Sequence, residues 1–498
     1  MYTGFVVKID NLEKHPNADR LQITKIFGDS IIVGLDVKLG DLGIYFPIGG
    51  QLSAEFCDEN HLCRKNSQGF ADTGYLDGDK RNIKAIRLRG EKSEGLYLPI
   101  SCVEYLGVSF SDQDVGICIH DLQGKEICKK YIPKGSHRRR GNGSSVRPLI
   151  SKAEIAPLFV EHADTEQLAY NLGAFKEGDL IEITCKMHGT SQRTGYLPVL
   201  VSYKGRGLDN YFIHKYMKDP SKASKWLKKK MKKILEYAKP IYEWKYISGT
   251  RRTVLNDWEG GFYGSNAFRK QHADFFEGKL HKGETVYYEV VGFTDTGAPI
   301  MPSASNKDLG KDFMRTYGDT TTFSYGCDPD GKDGRPQSAA YVYRMTMTNE
   351  DGDVVEYTPD YMRYRCEQMG AKTVPVFWKG YLETVKMINA YAQINVDNAM
   401  LEEIKKYLPD YKLQQYKVDK ISAGQLVKDL AELFYDGPDI VDSTHIREGV
   451  VIRIVNRPKF TAFKHKNFSF KVLSGIAVEK IAESSELDSL SDDIIAEM

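Results

Sequence analysis

The sequence predicts a multidomain protein: an all-β barrel over residues 1–132, then an α+β domain with antiparallel sheets over residues 149–475. Three observations predict it. The chain has 498 residues, too long for one ordinary domain. Its first quarter alternates apolar and polar residues in short runs broken by Gly, Asp and Asn, the period-2 signature of half-buried strands. Residues 133–148, PKGSHRRRGNGSSVRP, carry Gly, Ser and four arginines but no apolar period, so they read as a flexible basic linker.

Within residues 1–132 the strand candidates are GFVVKI, LQITKIFG, SIIVGL, GIYFPI, KAIRLRG and GLYLPI, a rhythm that suits a small barrel. Beyond the linker the strand candidates are LIEITCKM, PVLVSY, EWKYISG, ETVYYEVVGF, AAYVYRMTM, EGVVIRIV and FTAFKHK. Helix candidates are SKASKWLKKKMKKILEYA, SNAFRKQHADFFEG, PDYMRYRCEQMG, NAMLEEIKKYL and AGQLVKDLAELFY. Strands and helices do not alternate as regular βαβ units, so the class is α+β. Residues 476–498 form an acidic tail.

Composition narrows the function. The chain is 41% hydrophobic and 28% charged, enough for sizeable cores. Sixty-nine Lys and Arg offset 68 Asp and Glu, and this near-neutral total says nothing against nucleic acid, because binding depends on where charges lie. No apolar run approaches the roughly 18 residues of a membrane span. The N-terminus has no signal-peptide pattern, and the eight cysteines form no CxxC pair. Cys57, His61 and Cys63 come nearest to a metal spacing but lack a second ligand cluster. Free thiols in a reducing, cytoplasmic setting are expected, host cytoplasm if the chain is viral.

Residues 185–191, CKMHGTS, follow the alternating run DLIEIT directly. Lys186 therefore stands at the mouth of a strand, ahead of a small-residue turn. Glycine permits close backbone approach, and hydroxyls can reach ribose or phosphate oxygens. A lysine among other cations and partly desolvated has a depressed pKa and becomes a usable nucleophile. Alone this signal is weak, since surface lysines before turns are common. Three further segments strengthen it. YYEVVGF, residues 287–293, puts Glu289 among apolar and aromatic strand neighbours. REGVVI, residues 447–452, puts Glu448 before a glycine and a buried strand. FKHKN, residues 463–467, sets Lys464 and Lys466 on one strand face. Two carboxylates can hold a hydroxyl-rich ligand and hydrated Mg²⁺, and two same-face lysines can neutralise a phosphate chain. Singly, each carboxylate is better read as a salt-bridged sheet residue, and the lysines as a solvated face. Together they point to one site.

The order KMHGTS, SGTRR, YYEVVG, YVYR, REGVV and FKHKN resembles the covalent nucleotidyltransferases, and among them the ATP-dependent RNA ligases of the RNA ligase 2-like group. DNA ligases usually carry K-x-D-G, whereas this chain has K-x-H-G. The resemblance covers roughly residues 150–475 and implies an ATP-grasp-like ligase fold for the α+β domain. It implies that Lys186 attacks the α-phosphorus of ATP, giving lysyl-AMP and pyrophosphate. Lys464 and Lys466 would contact the α-phosphate, Glu289 the ribose, and Tyr343 the adenine. Glu448, and with it Glu289, would serve Mg²⁺ (or Mn²⁺) and its water. His188, Gly189 and Thr190 belong to the nucleotide-binding motif. Arg251 in YISGTRRTVL matches the arginine that engages the AMP phosphate and the RNA 5′ end, in preference to Arg206 in SYKGRG. Two residues depart from the family pattern. Cys185 stands where Glu often precedes the lysine, and Arg344 where Asp often follows the aromatic. Both bear on nucleotide preference rather than on the covalent step.

Residues 14–26, KHPNADRLQITKI, with KAIRLRGEKSEGLYLP, resemble the OB-fold tRNA-binding domain found beside some synthetases, so the barrel is expected to be an OB fold that binds RNA. Its candidate contacts are Lys84, Arg87, Arg89 and Lys92; ordinary solvated rim charges are an equal reading for any one of them. Arg252 is a further candidate. Residues 222–239 carry eight lysines against one acid, with Leu227, Met231, Ile234 and Ala238 at helical spacing. This marks an inserted basic helix at about 207–240, with Lys228, Lys229 and Lys232 as phosphate contacts. His162 in VEHADTEQ receives no catalytic role.

The resemblance implies three nucleotidyl transfers that join a 3′-OH to a 5′-phosphate end of RNA, in a nick or a tRNA break, by a monomer in RNA repair. A GTP-dependent capping-type enzyme is the nearest rival, but it normally carries its OB domain after the transferase. A non-catalytic RNA-binding protein on the same fold would have no need to keep all five charged motif residues.

Overall fold

The structure, a computed structural model, describes residues 2–64, 74–131, 149–162, 165–218, 220, 222–251, 254–255, 258, 263, 265–382 and 422–483. The expected linker, the NAMLEEIKKYL helix candidate, Arg252 and residues 484–498 of the tail lie outside them.

Two mixed but mainly antiparallel sheets organise the larger part of the chain. One runs in the order Val254–Leu255, Lys239–Gly249, Thr190–Lys204, Glu284–Gly292, Ser338–Thr348, Val354–Glu356, with Lys372–Thr373 pairing in parallel to Ser338–Thr348. The other runs Glu166–Gln167, Thr461–Lys466, Gly449–Ile454, Leu180–Cys185, Val376–Tyr381. The strand Leu180–Cys185, LIEITC, shows why the second sheet forms. Ile181 and Ile183 are fully buried with Ile452, Ile454 and Phe463 against Leu426 and Leu430 of the helix Ala423–Glu432. Glu182 and Thr184 point the opposite way, as a period of two requires. That helix starts where Ser422 Oγ accepts from the Gln425 N–H.

The first sheet buries Val286, Tyr288 and Val290 against Phe268 and Phe276 on one side helix and Met362 and Cys366 on another. The latter, Pro359–Met369, opens with Thr358 capping the Tyr361 N–H and Pro359 in its first turn, and closes at the left-handed Gly370. Among the described residues, the helices Ala54–Glu59, Lys152–Ile155, Lys311–Tyr317 and Phe468–Glu483 fall outside the candidate helical runs. The last crosses the expected tail boundary at residue 476. Its start is set by Asn467, whose Oδ1 accepts from the Phe470 N–H, and by buried Phe468, Phe470 and Leu473.

Residues 2–131 form a four-stranded antiparallel sheet, ordered Cys118–Ile119, Gly4–Lys8, Leu42–Pro47, Gly95–Pro99, and a three-stranded one of Glu13–Lys14, Leu21–Ile26 and Asp29–Gly34. Among the described residues no sheet closes into the expected barrel. The rim strands, such as Cys118–Ile119 and Gly50–Leu52, are two or three residues long and make too few ladder bonds to carry one sheet around. This unit packs on the rest of the chain. Lys471 Nζ bonds Glu94 Oε1 at 2.8 Å and Asp29 Oδ1 at 3.3 Å. Lys428 Nζ donates to the Phe27 carbonyl at 3.3 Å, and the Tyr170 ring lies 5.0 Å from Phe5.

Candidate active site

The nucleophile candidate sits where three strands meet. Cys185 is opposite Val450, and the Lys186 N–H donates to the Gly449 carbonyl at 3.1 Å. Gly449 in turn is opposite Lys466. The three strand ends therefore deliver their side chains to one carboxylate. Lys186 Nζ lies 2.9 Å and Lys466 Nζ 3.0 Å from Glu448 Oε1, and His188 Nδ1 lies 3.6 Å from Oε2. Glu448 is 0% exposed. Burial alone would raise its pKa, but Lys186 and Lys466 hold it well below the usual carboxylate range. Only glycine permits the approach, because a Cβ at position 449 would stand 2.1 Å from the His465 carbonyl oxygen at a φ of +147°.

Lys464, opposite Val451, shares this electropositive corner. Burial, then Lys466 and Lys186, push its pKa down to about 7. Burial also lowers Lys466, against the opposing pull of Glu448.

Between the sheets runs a cleft of about 960 Å³, its open mouth included. One wall carries Ser191, Glu289, Tyr343 and Arg251; the other carries Glu182, Thr184, Arg453 and Phe460. Lys186, His188, Gly189 and Glu448 are at the strand ends. Tyr343 owes its place to a β-bulge. Tyr287 pairs with Arg344 and Tyr288 with Val342, which leaves Tyr343 unmatched and turns its ring into the cleft. Its hydroxyl is 2.8 Å from Ser191 Oγ. Arg344, the next residue, is a brace: it ion-pairs with Glu356 and lies over the rings of Tyr287 and Phe460.

Several expected residues are placed otherwise. Thr190 is 1% exposed, and its Oγ1 accepts from buried Arg269 on the face away from the cleft, since it alternates with Ser191. Gly189 lets the turn lie against the Glu289 strand, where a Cβ would come 2.3 Å from the Val290 carbonyl oxygen. The Cys185 thiol is buried, 3.5 Å from Asp439 Oδ2. Arg206 stacks over Tyr237 in the helical insertion, whereas Arg251 lines the cleft. The insertion itself is two helices, Asp209–Lys218 and Lys225–Leu235. On the second, Lys229 and Lys232 are exposed and Lys228 is half-buried. Lys84 and Arg89 are exposed, while Arg87 and Lys92 lie 5.4 and 5.2 Å from the Phe468 ring.

The sequence assigned no role to two residues at the site. Tyr325 is buried, and its Oη accepts from the His188 N–H at 2.6 Å, under the turn that carries Lys186. Its own N–H donates to His445 Nε2 at 3.3 Å, and its φ of +51° is costly for an aromatic residue. Ser324 and Gly326 on either side bond Asp442 Oδ2; burial opposes, but Ser324, Thr444 and Gly326 lower the Asp442 carboxyl to about 2. His162 lines the cleft 5.0 Å from the Tyr343 ring and 5.7 Å from Phe460. Burial, then Arg344, keeps it neutral by pushing its pKa well down. A histidine among aromatic rings has no short-range pattern to betray it.

Among the described residues no group of three or more His, Cys, Asp or Glu could hold a metal ion. The donors that face the cleft, Glu289 and Glu448, are hard oxygens suited to Mg²⁺ or Mn²⁺, and need phosphate oxygens or water to complete a shell. No described helix is long and apolar enough to cross a membrane.

No protein-family model matches the sequence, and no curated protein matches it. Among solved structures, the chain is similar to a variant of a Naegleria gruberi RNA ligase with ATP and Mn, at TM-score 0.47 and 13% identity, covering 94% of this chain and 98% of that one. The same ligase with PPi is similar at TM-score 0.46 and 13% identity, covering 94% and 97%. An apo variant of it is similar at TM-score 0.45 and 14% identity, covering 97% and 98%.

Proposed function

We propose that the protein is an ATP-dependent RNA ligase that works through a lysyl-AMP and an RNA-adenylate. The observation that carries the reading is the sharing of one fully buried Glu448 oxygen by Lys186 and Lys466, at 2.9 and 3.0 Å, beside a cleft that also presents Glu289 and Tyr343.

Three ammonium groups around one carboxylate leave an excess of positive charge in a dry corner. Such a cluster gives up a proton near neutral pH, as the fall of Lys464 to about 7 illustrates. The neutral Lys186 amine attacks the α-phosphorus of ATP; an N–P bond forms, the bond to pyrophosphate breaks, and the amine proton passes to solvent. Lys464 and Lys466 contact the α-phosphate, Tyr343 stacks on adenine, and Glu289 accepts from the ribose. His188 and Gly189 shape the turn, and Arg251 holds the AMP phosphate and then the RNA 5′ end. Glu289 or Glu448, together with phosphate oxygens, would hold Mg²⁺ or Mn²⁺, which would supply charge neutralisation. Next an RNA 5′-phosphate oxygen attacks the AMP phosphorus and releases the lysine. A 3′-OH then attacks the activated 5′-phosphorus and expels AMP. Positioning and charge neutralisation supply most of such catalysis.

The test is to incubate the protein with Mg²⁺ and α-labelled ATP or, separately, GTP, denature it and look for bound label. Label from ATP alone, absent in Lys186→Ala, is expected. Label from GTP would move the reading to a capping-type transferase. No label from a folded protein shown to be free of prior adenylate would leave an RNA-binding protein without the chemistry.

A further inference from the structure

The helical insertion concentrates positive charge. Residues 204–239 hold twelve Lys and Arg against three acids, in a chain whose formal net charge is +1, so everything outside them is net negative. One of those acids, Asp209, is already engaged by Lys230 and by the Tyr237 hydroxyl. The inner face is an ordinary core: Leu227, Met231 and Ile234 pack with Ile213, Tyr216 and Leu200. The outer face is not ordinary. Trp226 is 63% exposed and Tyr211 62%, with Phe212 edge-on 5.5 Å behind each. Exposed lysines Lys215, Lys225 and Lys229 stand on the same two helices.

Resting on the ligase reading, we propose that this insertion is a distal platform for the single-stranded part of the RNA substrate, with Trp226 and Tyr211 stacking bases and the lysines tracking phosphates. Lysines alone suit any polyanion; rings held open to solvent add a surface for unpaired bases, which a duplex keeps stacked. A second copy of the chain is a poor occupant, because a two-fold contact would set two strongly cationic faces together. The platform is remote from the chemistry. The strand that leaves the Lys186 turn runs 15 residues, Thr190–Lys204, before the insertion begins. That is up to about 50 Å of extended chain at roughly 3.3 Å per residue. An RNA stacked as one strand of a duplex, at about 3.4 Å per nucleotide, needs on the order of 15 nucleotides to reach both places.

The experiment compares the wild type with Trp226→Ala and Lys229→Glu/Lys233→Glu, all full length. It measures binding of 30-nucleotide and 8-nucleotide single strands, a 30-base-pair duplex and phosphatidylserine vesicles, with lysyl-AMP formation and thermal midpoint alongside. Expected are a tenfold or greater loss for the 30-nucleotide strand in both variants and less than a twofold change for the 8-nucleotide strand. The charge-reversal variant should also show a shallower salt dependence. Lysyl-AMP formation and thermal midpoint should stay at wild-type levels. Unchanged affinity for the long strand would overturn the proposal. So would equal losses for the short strand or the duplex on Trp226→Ala, or vesicle binding that exceeds RNA binding and vanishes in the same variants. Absence of lysyl-AMP in the wild type would sink the ligase reading alone, since the binding measurements stand without it.

Discussion

Glu448 shows how one residue can hold several others in a defined state. Its buried carboxylate keeps Lys186 and Lys466 within 3.0 Å of one oxygen, and the surplus of cations then falls on Lys464. Removing Lys464 takes a positive charge from beside Lys186, the nucleophile of the proposed reaction, and a neighbouring cation favours the neutral amine that the reaction needs. Lys464→Ala should therefore move the rising limb of lysyl-AMP formation alkaline by up to roughly one pH unit, read in single-turnover assays. It should also slow adenylation more than sealing of pre-adenylated ends; equal losses would remove the role assigned to it. Stability follows the same sign. The folded pKa of about 7 is below the ordinary lysine value, so the folded state binds fewer protons between about 7 and that value. The penalty is complete below pH 7 and is relieved as pH rises. Lys464→Met should then raise the melting temperature more at pH 6 than at pH 9. Tyr325→Phe removes the acceptor of the His188 N–H and leaves that group buried and unpaired, a cost of about 1–3 kcal/mol. Lysyl-AMP formation should slow while ATP affinity holds; a matched loss of both would mean general disruption.

At the scale of elements, the site depends on how closely strands approach and where a ladder is interrupted. Gly449→Ala must force the Glu448 strand from its neighbour, because the new Cβ would meet the His465 carbonyl oxygen and Lys466 Cα at 2.1 and 2.8 Å. The expected result is a loss of about 1–3 kcal/mol in denaturant unfolding, with little lysyl-AMP left in the folded fraction. Full activity would show that the strand spacing does not matter. Much at this scale was legible beforehand. The runs LIEITC, ETVYYEVVG and GVVIRI are strands because β-branched and aromatic residues recur in them. The bulge at Tyr343 was not legible, since it is a mismatch between two strands and neither sequence alone contains it. The insertion, expected as one basic helix over about 207–240, is two, and the first, Asp209–Lys218, has only a weak apolar stripe, Ile213 and Tyr216 being buried.

For the whole molecule, the question is what ties residues 2–131 to the rest when the expected linker implied independence. Lys471 is held between Asp29 and Glu94, and its neighbours Phe468 and Phe470 touch Arg87 on one side and His188 on the other. Lys471→Met would leave the buried Glu94 and half-buried Asp29 carboxylates without their cation. A cost of about 3–5 kcal/mol is expected, with earlier proteolysis of the N-terminal unit. A melting curve unchanged from wild type would show that Tyr170, Phe5 and Phe27 hold the docking without it.

The sequence by itself determined the local pieces: which runs become strands, which lysine precedes a small-residue turn, and which segment concentrates cations. Those properties depend on residue type and period, and both are carried by neighbours in the chain. Only the tertiary structure decided that Lys186 and Lys466 share one oxygen of Glu448, that Tyr325 supports a turn 137 residues away, and that Lys471 reaches across 442 residues to Asp29. It also decided that the N-terminal strands stay in separate sheets instead of closing into a barrel. Strand order, register and docking are set by which surfaces exclude water together, and that information is distributed over the whole chain.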